Sequence, residues 1–178
     1  MPDRIASEEI VRLAVEACPS GMIMTDASGK IVLVNAEAER LFGYGREELL
    51  DQSIDMLVPL AARGQHGGHR TSFASRPEAR RMGVGRDLFG VRKNGTQIPV
   101  EIGLNPIQTR DSLMILSAIT DITDRKLADE RFRLVVEACP SGMIMTGADG
   151  KIVLINAEAE RLFGYARARS ARLGPIVI

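Results

Sequence analysis

The sequence predicts an α+β fold: a five-stranded antiparallel sheet with short helices on one face and a further helix at the N-terminus. Three observations predict it. Residues 31–44 read as an apolar strand running directly into a short capped helix. Residues 97–105 alternate cleanly, with Ile98, Val100, Ile102 and Leu104 on one face and Gln97, Glu101 and Asn105 on the other. Only short helical stretches separate the first strand pair from the last strands. The economical packing therefore lays those helices on one side of a single sheet.

The elements follow in order. Ser7-Glu8-Glu9 opens a helix, with Ser7 as N-cap and acids in the first turn. Ile10, Leu13, Ala14 and Ala17 give it an apolar stripe, and Pro19-Ser20-Gly21 stops it. A strand over 21–25 turns at Asp26-Ala27-Ser28-Gly29 and pairs with residues 30–34. Asn35 caps the next helix, whose Ala38, Leu41 and Phe42 form one face, and Gly43 takes the left-handed position after it. Arg46 to Leu50 forms a second short helix, and the apolar run around Ile54, Met56, Leu57 and Val58 ends at Pro59. Leu60 to Arg63 reads as helix; Gly67-Gly68 is expected to interrupt it, and Pro77 limits it downstream. A strand over 82–92 leads into Asn94-Gly95, read as a two-residue hairpin turn. Leu113 to Ile122 is more uniformly apolar, as befits a central strand.

Residues 12–44 return as 133–165 without gaps, differing only at Ala14/Val135, Asp26/Gly147, Ser28/Asp149 and Val34/Ile155. Beyond Tyr165 the similarity stops, so the second copy lacks its long strands. Deliberate trimming, a truncated gene and a shifted reading frame each account for this. So does a domain swap, in which the second hairpin displaces its near-twin in a partner's sheet. The resulting division is an N-terminal helix and lead-in (1–20), a complete domain (21–124), a linker helix (125–139), and a truncated repeat with an arginine-rich tail (140–178). Leu127, Arg131, Leu134 and Ala138 share one face of the linker helix, which suits it to pair with a second chain.

The 178 residues carry a formal net charge of zero, so bulk charge favours neither nucleic acid nor an anionic membrane. The charge is uneven. Residues 63–93 hold Arg63, Arg70, Arg76, Arg80, Arg81, Arg86, Arg92 and Lys93 against Glu78 and Asp87. That run is either a solvated basic face or a pocket or partner surface for anions. Two cysteines, Cys18 and Cys139, make neither a disulfide framework nor a zinc site. No apolar run has transmembrane length and no signal peptide is evident, so a cytoplasmic location is expected. No glycine-rich phosphate loop is present: Gly83-Val84-Gly85-Arg86 lacks a third glycine and leads into a strand. No nucleophile, base and orienter share a spacing, and no recognition helix for DNA is seen. The chain is expected to be no enzyme, and any kinase activity to lie outside it.

Three stretches carry a family resemblance: Gly29 to Tyr44, with Asn35, Ala38 and Phe42; Arg92-Lys93-Asn94-Gly95-Thr96-Gln97-Ile98-Pro99-Val100-Glu101-Ile102; and Asp121-Ile122-Thr123-Asp124-Arg125-Lys126. Together they resemble a PAS domain, in particular the tandem PAS modules of bacterial sensor histidine kinases. The resemblance implies that the sheet and the short helices form opposite walls of a pocket, with Met56, Ile98, Val100, Ile102, Leu104 and Ile115 as the expected lining. It also implies a signal relay through Asp121, Thr123, Asp124 and Arg125 into the following helix.

The expected role is a PAS sensory and dimerisation module of a two-component signalling protein. It takes an unidentified small-molecule ligand or a redox state as input and forms a homodimer through the N-terminal and linker helices. Two alternatives stand beside it. The stretch 83–95 resembles haem-binding oxygen sensors of the FixL type, which would make His66 the iron ligand with Arg86 nearby. The family's iron-ligating position aligns with Arg80, so His66 would serve from further upstream. A two-residue turn at Asn94-Gly95 would also set Arg86 opposite Gly103, away from the Ile98 face. A flavin is less favoured, because no cysteine lies between residues 19 and 138 and there is no Trp to stack it. The other alternative is a ligand-free structural module whose pocket is filled by Met22, Met24, Met56, Met82 and Met114.

Overall fold

A computed structural model describes residues 9–10, 12–75, 77–82, 87–109 and 112–164. The chain divides into two compact units, Met1–Thr123 and Asp124–Ile178. Ser7 and the tail after Gly164 lie outside the described residues.

The first unit opens with helical residues 9–10 and 12–16, together called α1, and strands β1 (Gly21–Asp26) and β2 (Ile31–Val34). Short helices α2 (Ala36–Phe42) and α3 (Arg46–Leu49) follow, then a 3₁₀ turn, η1 (Ile54–Leu57), and the long helix α4 (Leu60–Ser75). Strands β3 (Arg80–Met82), β4 (Leu88–Val91), β5 (Gln97–Gln108) and β6 (Leu113–Asp121) complete it. The sheet is antiparallel in the order β2-β1-β6-β5-β3, with β4 also paired to β5. The α+β fold is as the sequence predicts, with one refinement. The single strand expected over 82–92 is two pieces, β3 opposite Ile102–Leu104 and β4 opposite Gln97–Val100.

Asn35 explains why the opening motif folds as it does. Its Oδ1 accepts the Met22 N–H at 2.8 Å and the Ala38 N–H at 3.0 Å. Its Nδ2 donates to the carbonyls of Val15 and Ser20, both at 3.0 Å. One fully buried side chain thus caps α2 and fastens it to β1 and to the end of α1. Gly43 closes α2 in the left-handed region at φ 73°. The apolar faces then meet in one core: Ile23, Ile31, Val34, Ala38, Leu41, Phe42, Leu49, Leu57, Ile98, Val100 and Ile119.

Two expectations are corrected. Gly67-Gly68 does not interrupt α4, which runs unbroken to Ser75. Its ends are held by other means: Arg63 donates to the carbonyls of Val58 (2.9 Å) and Met56 (3.2 Å), and Phe73 is buried. The turn before β5 is also not a two-residue turn. Arg92 N–H donates to Thr96 C=O at 2.9 Å, leaving Lys93-Asn94-Gly95 as a three-residue loop with Gly95 at φ 83°. One extra loop residue shifts the register by one, so Leu88 faces Val100 and Gly90 faces Ile98. The geometry that set Arg86 opposite Gly103 therefore does not hold, and Arg86 itself lies outside the described residues.

The second unit begins within α5 (Thr123–Glu137) and contains the hairpin β7 (Ile144–Thr146) and β8 (Ile152–Ile155), then α6 (Ala157–Phe163). Asn156 repeats the Asn35 bonds, accepting from Met143 at 2.8 Å and Ala159 at 3.0 Å. What differs is burial. Leu41 and Phe42 are 5% and 2% exposed, whereas their counterparts Leu162 and Phe163 are 64% and 61% exposed. Nearly identical local sequence gives the same local structure, but burial depends on the strands that follow.

Candidate functional site

A cavity of about 60 Å³ lies between the sheet and α4. Its floor is the sheet face that carries Thr25, Ile115, Ser117, Leu104, Met82 and Arg80. Strand pairing places these residues together: Thr25 faces Ile115, Leu104 faces Ser117, and Arg80 faces Leu104 on its other side. The roof is Ile54 of η1 with His66, His69, Arg70 and Phe73 of α4. His66, Arg70 and Phe73 recur at helical spacing, which is why the continuity of α4 through its glycines matters here.

Asp55 ties this roof to η1. Its Oδ1 lies 2.5 Å from His66 Nδ1 and its Oδ2 lies 2.7 Å from Arg70 Nη1. An ionised carboxylate only accepts, so Nδ1 of His66 carries the hydrogen and donates. Burial pushes the Asp55 carboxyl up, but the bonds from His66 and Arg70 outweigh it and hold the group below the usual carboxylate range. Arg80 reaches over the ring of Phe73, 4.9 Å from its centroid, and joins the sheet edge to the far end of α4.

A second cluster lies at the end of β6. Asp121 Oδ1 accepts the Thr123 N–H at 2.8 Å and its hydroxyl at 2.5 Å, fixing the first turn of α5. Asp121 Oδ2 accepts from Arg92 Nη2 at 3.2 Å, and Arg92 Nε donates to the Leu41 carbonyl at 2.9 Å. Lys93 N–H caps the neighbouring Phe42 carbonyl at 2.9 Å. The β4–β5 loop therefore joins the C-terminal end of α2 to the start of α5.

The residues expected from sequence fall as follows. Leu104 and Ile115 line the cavity. Ile98 and Val100 are buried in the core, with Ile102 and Met56 packed against it. Asp121 and Thr123 bond each other, while Asp124 and Arg125 are exposed in the first turn of α5. Met82 lines the cavity, but strand alternation puts Met22, Met24 and Met114 on the opposite face from Thr25 and Ser117, so those three cannot fill it. His66 lines the cavity with Nδ1 held by Asp55. Ligand sites of drug size run to roughly 300–1,000 Å³, against about 60 Å³ here. The cavity formed by the described residues, which do not include residues 83–86, is smaller than a haem or a flavin requires. Sequence reasoning missed Asp55, Arg70, Thr25 and Ser117 as site residues. The signal for the first two was an acid upstream of a His and an Arg four residues apart, legible only once α4 is taken as continuous.

A family model described as the PAS fold matches residues 9–122, and a second, described as PAS domain, matches residues 130–178. Among curated proteins the chain is similar to Sensor protein FixL of Bradyrhizobium diazoefficiens, at 26% identity over 126 residues covering 71% of this chain and 25% of that protein. It is also similar to Oxygen sensor protein DosP of Escherichia coli, at 25% identity over 173 residues covering 96% of this chain and 22% of that protein. The chain thus spans about a quarter of the length of these relatives. Among solved structures, the PAS domain of an HTR-like protein from Haloarcula marismortui superposes with a TM-score of 0.55 at 23% identity, covering 68% of this chain and 98% of that one. The PAS domain of BvgS from Bordetella pertussis gives a TM-score of 0.54 at 18% identity, covering 75% and 99%.

Proposed function

The chain belongs to the PAS family, and on that premise we propose that its first unit is a sensory and dimerising module of a two-component signalling protein, without catalysis of its own. Input enters at the cavity under α4, where a small molecule or a redox change alters how residues 53–76 pack on the sheet. Output leaves through α5. The change is a population shift between two packings of the helices on the sheet, not a new fold.

The observation that carries this reading is the Arg92 junction. Arg92 holds Leu41 at the end of α2 and Asp121 at the end of β6, and Asp121 in turn holds Thr123. Ser117, in the cavity floor, is on the same strand as Asp121. Pairing with a second copy is supported by exposed apolar residues on both flanking helices: Ile10 and Leu13 on α1, and Leu127 and Leu134, seven residues apart, on α5.

Hydrogen exchange on Arg92→Gln tests the relay. The expected result is faster exchange in residues 123–130, by about tenfold or more for a lost charged hydrogen bond, with β1, β5 and β6 still protected. Unchanged exchange in α5 would refute the role given to Arg92.

A further inference from the structure

We propose that the cavity between β1, β5, β6 and α4 binds a small monovalent oxyanion, a short carboxylate or an inorganic anion of similar size. This rests on the sensory reading above and specifies the chemistry of its input.

The first observation concerns two hydroxyls. Thr25 and Ser117 are 4% and 8% exposed, and both line the cavity. Neither side chain has a hydrogen-bond partner among the described residues. No fully enclosed polar side-chain atom is left unpaired in the described structure, so both hydroxyls must reach open space. The open space beside them is the cavity. Buried hydroxyls are rarely left without a partner. These two lie on adjacent strands, Thr25 two pairs along from the Ile23–Ser117 pair and so on the same face, and a single ligand can meet both.

The second observation is charge. Among the described residues the lining contains Arg70 and Arg80 and no carboxylate. Asp55 stands behind His66 and Arg70, with one oxygen engaged by each. Arg80 makes no ion pair among the described residues and lies over the Phe73 ring. The described lining therefore carries one guanidinium without an ion-pair partner among the described residues, that of Arg80, which like His69 is exposed to solvent. A cation would meet no anionic group among the described lining residues, whereas an anion would meet Arg80 as well as the two hydroxyls.

The third is size. One water needs roughly 10–15 Å³ of such space, so a cavity of about 60 Å³ takes a ligand of about four to six non-hydrogen atoms. The basic run over residues 63–93 supplies both guanidinium groups, while Arg63, Arg81 and Lys93 of the same run are exposed outside the lining.

The test is calorimetric titration of the full chain with acetate, nitrate and inorganic phosphate, with acetamide as the uncharged counterpart of acetate. Saturable one-to-one binding of acetate or nitrate is expected, with acetamide silent. The acetate and nitrate arms separate a carboxylate from an inorganic ligand, and phosphate is expected to bind more weakly because of its size and second charge. Arg80→Gln should weaken binding roughly 10- to 100-fold, as for loss of a charged hydrogen bond. Thr25→Val keeps the side-chain shape and removes a hydroxyl with no protein partner, so it should weaken binding several-fold while the melting temperature holds. Absence of saturable binding by all three anions, equal binding of acetamide, or full affinity in both variants would overturn the site. Hydrogen exchange of residues 123–137 with and without the bound anion separates this failure from failure of the relay. Binding without any change in α5 leaves the site standing and removes the relay. Absence of binding removes the site and leaves Arg92→Gln to decide the relay.

Discussion

Replacing Asn35 by Ala should be among the most destabilising single changes in the first unit. The side chain is 0% exposed and joins three elements through four bonds of 3.0 Å or less. Alanine removes an N-cap, typically worth about 1 kcal/mol. It also strands the Met22 and Ala38 N–H groups and the Val15 and Ser20 carbonyls, where an unsatisfied buried group costs about 1–3 kcal/mol. Some of these groups recover water, so the net loss is about 3–5 kcal/mol. At a urea slope of about 2 kcal/mol/M the midpoint should fall by about 1.5–2.5 M. Asn156→Ala is the matched control. Its bonds repeat those of Asn35, but α6 is not buried as α2 is, so the unfolding midpoint of the first unit should not move. A loss below about 1 kcal/mol for Asn35→Ala would refute the view that this side chain fastens α1, β1 and α2 together.

Three further outcomes follow from the packing and the charges. Gly90→Ala would place a methyl group 2.9 Å from the Phe42 ring, so thermal unfolding should show a loss of about 1–3 kcal/mol. The carboxyl of Asp55 is depressed when folded, so its contribution is full above the unfolded carboxylate value of about 3.9 and is lost as pH falls through the lower folded value. The stability gap between the wild type and Asp55→Ala should therefore hold at about 1–2 kcal/mol from pH 7 to 5 and close below about pH 4; a gap that widens on acidification would contradict this. Phe73→Ala removes the buried anchor of α4 and the ring beneath Arg80, so it should cost about 3–5 kcal/mol in a urea titration and speed exchange along α4.

Local signals in the sequence were enough for the elements they govern. Asn35 and Gly43 bracket α2 because their preferences act within one turn, and the alternation of β5 places Ile98 and Val100 in the core because its period is that of the strand. Properties set by distant partners were not legible. Asn94-Gly95 suits a two-residue turn, but the chain forms a three-residue loop, and that one residue moves the register of β4. Gly67-Gly68 argues against a helix locally, yet α4 persists because Asp55, eleven residues before His66, holds it from η1. Thr25 and Ser117 read as ordinary strand residues until β1 and β6 pair and set both hydroxyls in one cavity. The second unit shows the same limit, since its hairpin and helix form as in the first but Leu162 and Phe163 stay exposed.

The central claim is that the state of the cavity is read at α5 through Arg92 and Asp121. The most direct measurement is hydrogen exchange of residues 123–137 in a double-mutant cycle of Ser117→Val, which fills the cavity floor, and Arg92→Gln, which cuts the junction. The account predicts that Ser117→Val changes α5 exchange in the wild-type background and has little effect once Arg92 is replaced, so the two changes are not additive. Equal effects of Ser117→Val in both backgrounds, or none in either, would contradict it.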